Sequence, residues 1–268
     1  MTAKNNLLYN ICNKTYIKHP EGVTDFMVGR KKEIAELVEL YESNKSELVA
    51  VYGRRRVGKT YLIDEVFKDK ITFRHAGLSP IEEDEAVKGS PLKKQLQAFY
   101  YSLLTQGMKK SSCPKDWLEA FYMLEMHLQS FDDGSRQIVF LDELPWMDTA
   151  RSDFKSALDY FWNSWASSRE DLVLITCGSA TSWIITNLLT SKKGFHNRVT
   201  RRIHLSPFTL AECEQLFELN DMVMTRKQMI ESYMIFGGVP YYLNLMDSRL
   251  SLTQNVNEMC FKDYGVLH

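Results

Sequence analysis

Gly53, four intervening residues and then Gly58-Lys59-Thr60 form the pattern G-x-x-x-x-G-K-[ST]. That spacing suits the cradling of a polyphosphate. The two glycines permit backbone angles and close approaches that a Cβ would block. Loop amides and the N-terminus of a following helix then face the anion, where the helix dipole also favours negative charge. Lys59 reaches the outer phosphates, and the Thr60 hydroxyl supplies an oxygen to Mg2+. The residues expected to line a nucleotide here are Gly53, Arg54, Arg55, Arg56, Val57, Gly58, Lys59, Thr60 and Tyr61. The three consecutive arginines admit two readings, passengers on a phosphate loop or a local patch for nucleic acid.

A second constellation answers the first. "IVFLDE" at 138–143 is an apolar run that closes on two carboxylates. Asp142 is placed to hold Mg2+ through water, and Glu143, one residue on, to polarise an attacking water. A third apolar run ends in "TCGSA" at 176–180. It offers Thr176, Ser179 and, just beyond, Thr181 to a γ-phosphate or its water, although Ser179 could equally cap the next helix.

These side chains need strands that end together and helices that begin there. Residues 48–52, 71–76, 136–143 and 171–180 read as short apolar strands. Between them lie helical stripes: Ile34, Leu37, Val38, Tyr41; then Leu62, Ile63, Val66, Phe67; Leu92, Leu96, Phe99, Leu103; Trp117, Phe121, Leu124, Leu128; and Phe154, Leu158, Phe161, Trp165. Strands alternating with helices predict an α/β fold, a parallel sheet sandwiched by helices. The acidic stretch at 80–90 reads as a solvated loop. From residue 207 the pattern becomes helical throughout. The expected domains are therefore an α/β domain over 1–206 and a small all-helical domain over 207–268.

Formal charges nearly cancel, at −1 for 268 residues, so any attraction to DNA must be local. No apolar run approaches the roughly 20 residues that span a bilayer, and the N-terminus lacks the pattern of a signal peptide. Five scattered cysteines form no C-x-x-C pair. Together these predict free thiols, a cytoplasmic location and no membrane partner.

Taken in order, "FMVGRKKEIAEL" (26–37), "VYGRRRVGKTYLI" (51–63), "FLDELPWM" (140–147), "CGSATSWI" (177–184), "RVTRRIHLSPFT" (198–209) and "GGVPYYL" (237–243) resemble the archaeal-type ATPase family, a branch of the AAA+ and STAND-related P-loop ATPases. The resemblance implies ATP or ADP with Mg2+ as cofactors and a sheet with an extra strand between the phosphate-loop strand and the acidic strand. It implies Glu143 as catalytic base and residues 1–30 as a segment on the adenine side, with Phe26, Met27, Val28, Gly29 and Arg30 near the adenine. It also implies residues 207–268 as a lid that closes over the nucleotide, with Gly238 to Pro240 at the junction. Arg198 is its first choice as arginine sensor or finger, ahead of Arg201 and Arg202. Family members commonly continue into a further C-terminal part, so a shortened lid is expected. The implied activity is Mg2+-dependent hydrolysis of ATP that drives or gates a conformational change. Two alternatives stay open: a STAND-like switch with little intrinsic hydrolysis, and a DNA-associated adaptor. A protein client or a second copy of the chain is the other candidate partner.

Overall fold

The computed structural model describes residues 8–11, 14–18, 24–80, 90–190 and 198–268, with residues 8–26 described by backbone alone. Most of the acidic stretch at 80–90 and part of the N-terminal segment lie outside the described residues.

Three short strands, β1 (Leu8–Ile11), β2 (Lys14–Lys18) and β3 (Thr24–Met27), pair antiparallel in that order. Helix α1 (Lys31–Glu42) leads to β4 (Glu47–Tyr52). Then follow α2 (Lys59–Phe67), β5 (Ile71–Ala76), α3 (Pro91–Thr105), α4 (Trp117–Gln129) and β6 (Gln137–Asp142). A single turn α5 (Leu144–Met147), α6 (Phe154–Ser164), β7 (Leu172–Gly178), a second turn α7 (Thr181–Ile184) and β8 (Arg201–His204) complete the α/β part. The rest is helical: α8 (Leu210–Leu219), α9 (Arg226–Phe236), α10 (Pro240–Asn244) and α11 (Leu252–Cys260).

Strands β4 to β8 form one sheet in the order β5-β6-β7-β4-β8, with every neighbouring pair parallel. The inserted strand β7 separates β4 from the acidic strand β6. Leu48, Ala50, Val139, Leu141, Leu172 and Leu174 face an aromatic core with Phe99, Trp117, Phe121, Phe154 and Phe161 of α3, α4 and α6. Their alternates, Val49, Val51, Ile138, Phe140, Val173 and Ile175, are equally buried. Burial of both faces is why these strands are apolar throughout rather than alternating. Strand β8 escapes that signature. Among the described residues "RRIH" borders only β4, and an edge strand tolerates charge, which also protects it from pairing with another chain.

The chain folds as two compact units. One comprises residues 35–53 and 66–204, the sheet and its aromatic core. The other comprises residues 1–34, 54–65 and 205–268, with its own apolar cluster of Val28, Phe208, Cys213, Leu216, Phe217, Phe236 and Leu243 among others. Three of its helices, α8, α9 and α11, start on reciprocal caps, in which Thr209 with Glu212, Thr225 with Gln228 and Ser251 with Gln254 each satisfy two backbone amides at the helix start.

Candidate functional site

Parallel pairing brings the ends of three strands to one rim of the sheet. Tyr52 lies opposite Gly178, Leu141 opposite Thr176 and Ala76 opposite Asp142. From that rim the chain leaves through Gly53, through Asp142-Glu143 and through Ser179.

The acidic turn is held on all sides. Asp142 is 8% exposed; its carbonyl accepts from the Gly77 amide at 3.0 Å, and its Oδ1 accepts from the Glu143 amide at 2.8 Å. Glu143 adopts a left-handed conformation, φ 44° and ψ 46°, rare for a non-glycine residue and met where surroundings enforce it. One enforcing contact is visible: Glu143 Oε2 accepts both the amide and the hydroxyl of Ser179, at 3.1 and 3.0 Å. The turn after Glu143 fits closely between two glycines. A Cβ on Gly178 would stand 2.7 Å from Pro145 Cδ, and one on Gly77 2.8 Å from the Glu143 carbonyl oxygen. Gln95, buried on α3, donates to the carbonyls of Leu78 and Trp146 and accepts from the Leu78 amide, at 2.8 to 3.0 Å. It thereby ties the segments that follow β5 and β6. Asp148 accepts from the Trp183 indole at 2.9 Å and pairs with Lys155 at 3.3 Å.

The glycine-rich segment follows β4 directly. Gly58 has φ 90°, and a Cβ there would meet no heavy atom of the described residues within 4 Å apart from its chain neighbours, so backbone freedom rather than space requires glycine. Helix α2 begins on Lys59, and the Leu62 amide bonds the Gly58 carbonyl at 2.9 Å. Lys59 is 6% exposed and its Nζ donates to the Arg54 carbonyl at 2.9 Å. Arg30, also buried, donates to the Val57 carbonyl at 3.1 Å and lays its guanidinium 4.8 Å from the centroid of Phe208. Burial pushes Arg30 below its ordinary pKa, opposed by the negative charges of Glu33 and Glu212. The Glu212 carboxylate packs onto Gly29, where a Cβ would meet Oε1 at 2.1 Å.

Residues 27–246 match the sequence profile of the ATPase domain predominantly from Archaea. The chain belongs to this ATPase family. Over 225 residues it is 25% identical to an uncharacterized protein of Methanocaldococcus jannaschii, the match covering 81% of this chain and 43% of that one. The ATPase domain described here thus spans less than half the length of that relative. In fold it is similar to the Walker-type ATPase of Pyrococcus abyssi, with a TM-score of 0.57, 18% identity, and coverage of 90% of this chain and 73% of that chain. It is also similar to the ORC2 protein of Aeropyrum pernix in its ADPNP–ADP complexes, with a TM-score of 0.53, 15% identity, and coverage of 81% and 61%. At those identities the likeness is one of fold.

Within the ATPase domain the residues singled out by sequence separate into groups. Asp142, Glu143 and Ser179 share the sheet rim, and Ser179 does not cap the next helix: α7 starts after Ala180, and the Ser179 hydroxyl goes to Glu143. Thr176 is fully buried and donates to the Val49 carbonyl at 3.0 Å, so it serves the sheet. Arg198 is not brought to this rim. It precedes β8, whose Arg201 is level with Val49, so about 13 Å of strand separates that level from Gly53; Arg198 pairs with Asp159 at 2.9 Å. Arg201 pairs with Glu39 at 3.3 Å and Arg202 donates to the Leu189 carbonyl at 3.4 Å. Val28 belongs to the apolar cluster of the second unit, and Pro240 opens α10. Sequence reasoning overlooked Glu212, Gln95 and Gly77. For Glu212 a signal existed, since Thr-x-x-Glu marks a capping box; for Gln95 and Gly77 no local pattern points to the contacts they make.

Proposed function

We propose that this chain is a Mg2+-dependent ATPase that hydrolyses ATP to ADP and phosphate and uses the cycle to drive or gate a conformational change, with residues 207–268 as its lid. The carrying observation is Glu143, a carboxylate held in a left-handed turn at the sheet rim, one residue after Asp142. Family membership and the Gly53–Thr60 pattern support nucleotide as the substrate.

In this reading the amides from Gly53 to Tyr61 and the Lys59 ammonium take the phosphates. One carboxylate, Asp142, and one hydroxyl, Thr60, are hard oxygen donors of the kind Mg2+ accepts when it shares its sphere with phosphate oxygens. Bound there, the ion would neutralise charge on the β- and γ-phosphates. Glu143 orients a water and takes its proton as it attacks phosphorus. Ser179, donating twice to Glu143 Oε2, fixes the carboxylate so that Oε1 is the atom turned to that water.

The decisive experiment is Glu143→Gln. Turnover falls about a hundredfold to ten-thousandfold, while affinity for ATP stays within a few-fold. Unchanged turnover removes Glu143 as the base. The two Ser179 hydrogen bonds also support a second reading, a nucleotide-gated switch that hydrolyses little until Glu143 is released. ADP that co-purifies with the protein, together with higher turnover in Ser179→Ala than in wild type, would favour it.

A further inference from the structure

Arg56 lies in the loop two residues before Gly58 and has φ 69°, a left-handed conformation that L side chains keep where other contacts hold them. Three contacts hold it. The Arg56 carbonyl accepts from the Tyr241 amide at 3.4 Å. Its Nη1 donates to the Tyr242 hydroxyl at 2.9 Å. Its guanidinium carbon stands 4.7 Å from the centroid of Tyr241 and 5.2 Å from that of Tyr242. The two rings meet edge to face, 5.7 Å apart, and form a cradle for a planar cation. Pro240 precedes them at the start of α10 and has no amide hydrogen. Tyr241 therefore carries the first amide of that helix, one that the helix itself leaves without a partner.

The next carbonyl along the loop is also anchored, because Val57 O accepts from Arg30. In a planar trans peptide the carbonyl and the following amide point in opposite directions. Fixing the Arg56 carbonyl on Tyr241 thus fixes where the Val57 amide points, and fixing the Val57 carbonyl on Arg30 does the same for the Gly58 amide. A loop that offers amides to an anion must turn its carbonyls away, and those carbonyls need partners of their own.

We infer that Tyr241 and Tyr242 act through Arg56 as a clamp that sets the anion-binding conformation of the loop, making Arg56 a positioning residue rather than a contact for nucleic acid or phosphate. The inference rests on the phosphate-loop reading above and assigns to "GGVPYYL" a task of its own. The helical segment then governs nucleotide affinity, and a partner that displaced α10 would loosen the loop.

The test uses the full chain, a fluorescent ADP analogue and steady-state ATP turnover. Arg56→Ala and the double variant Tyr241→Ala/Tyr242→Ala each weaken ADP binding about tenfold. Combining all three changes weakens it no further, since one interaction has been removed twice. KM rises with Kd while kcat stays within about twofold. Tyr242→Phe, which keeps the ring and its packing, costs about threefold, and Arg56→Lys recovers part of the loss. These two mild variants keep the test valid if the larger ones unfold. Normal binding by the tyrosine variants beside weak binding by Arg56→Ala would mean that Arg56 touches the nucleotide directly, which overturns the clamp. Wild-type affinity in every variant overturns it as well. If the wild type binds no nucleotide, the phosphate-loop reading fails first. Hydrogen exchange of the Val57 and Gly58 amides in nucleotide-free protein then decides, and unchanged exchange in the tyrosine variant sinks the clamp.

Discussion

Asp142 closes one sheet strand and Arg56 lies four residues past the end of another, yet the two are fixed by different means. Asp142 ends a strand whose six residues are all buried, paired on both sides and backed by an aromatic cluster. Its place follows from register, and shifting it would mean shifting the sheet. Arg56 is exposed, and its contacts are a few hydrogen bonds and two rings. Such a segment can be released one interaction at a time. Groups that must stay put belong on the first kind of support, and segments that must move belong on the second.

If that contrast is right, damage to the core should cost the sheet most. Phe99 is fully buried and its ring meets those of Phe73, His75, Trp117 and Phe121 at centroid distances of 5.0 to 5.9 Å. Phe99→Ala should lower unfolding free energy by about 3–5 kcal/mol, measured by urea denaturation. A loss under about 1 kcal/mol would mean that the cluster does not carry the rim.

Acid should act on the same support. His75 Nδ1 lies 2.9 Å from Ser102 Oγ, which donates to the Ala98 carbonyl at 3.2 Å. His75 Nε2 is buried with no hydrogen-bond partner among the described residues. Burial lowers the His75 pKa to about 4, from 6.5. The unfolded chain then binds this proton more readily than the folded one. The contribution is complete above pH 6.5, declines as pH falls and is lost by about pH 4, a change of about 3 kcal/mol. Burial shifts His127 in the same direction. Stability curves at pH 7 and 4.5 should differ less in His75→Gln than in wild type, and an equal difference would refute the assignment.

A smaller effect is expected from Gly178→Ala. The added Cβ meets Pro145 Cδ at 2.7 Å, so the Glu143 turn must shift, at about 1–3 kcal/mol and with reduced ATP turnover. Retained stability and turnover would show that the turn is more yielding than Asp142 and its register imply. Smallest is Glu212→Ala, which removes a capping box and the carboxylate against Gly29 at about 1 kcal/mol. The thermal midpoint should fall by a few degrees, and a shift as large as that of Phe99→Ala would erase the contrast.

Much of this was legible in the residues themselves. "LVAVY", "IVFLD" and "LVLITCG" announce strands because a parallel sheet covered on both faces admits only apolar side chains. The Gly53–Thr60 pattern is legible because the role proposed for it depends on local backbone freedom and on helix polarity, both written within eight residues. Strand β8 and the antiparallel hairpins β1–β3 were not legible. Edge strands and short strands of mixed composition have weak periodicity, and they form because a neighbour offers hydrogen bonds. Glu212 could be read as a cap but not as the neighbour of Gly29, since that approach joins residues far apart in the chain.

By itself, then, the sequence determined the layer architecture, the rim carboxylates and the glycine-lysine loop, because each follows from short-range spacing and from which residues water rejects. Tertiary structure alone decided that Ser179 serves Glu143, that Arg198 pairs with Asp159, and that Arg56, one of three look-alike arginines, is gripped by Tyr241 and by Tyr242, the latter 186 positions away. No local rule distinguishes Arg56 from Arg54 or Arg55. A charged side chain finds its partner only once the packing of distant segments has fixed what stands within reach.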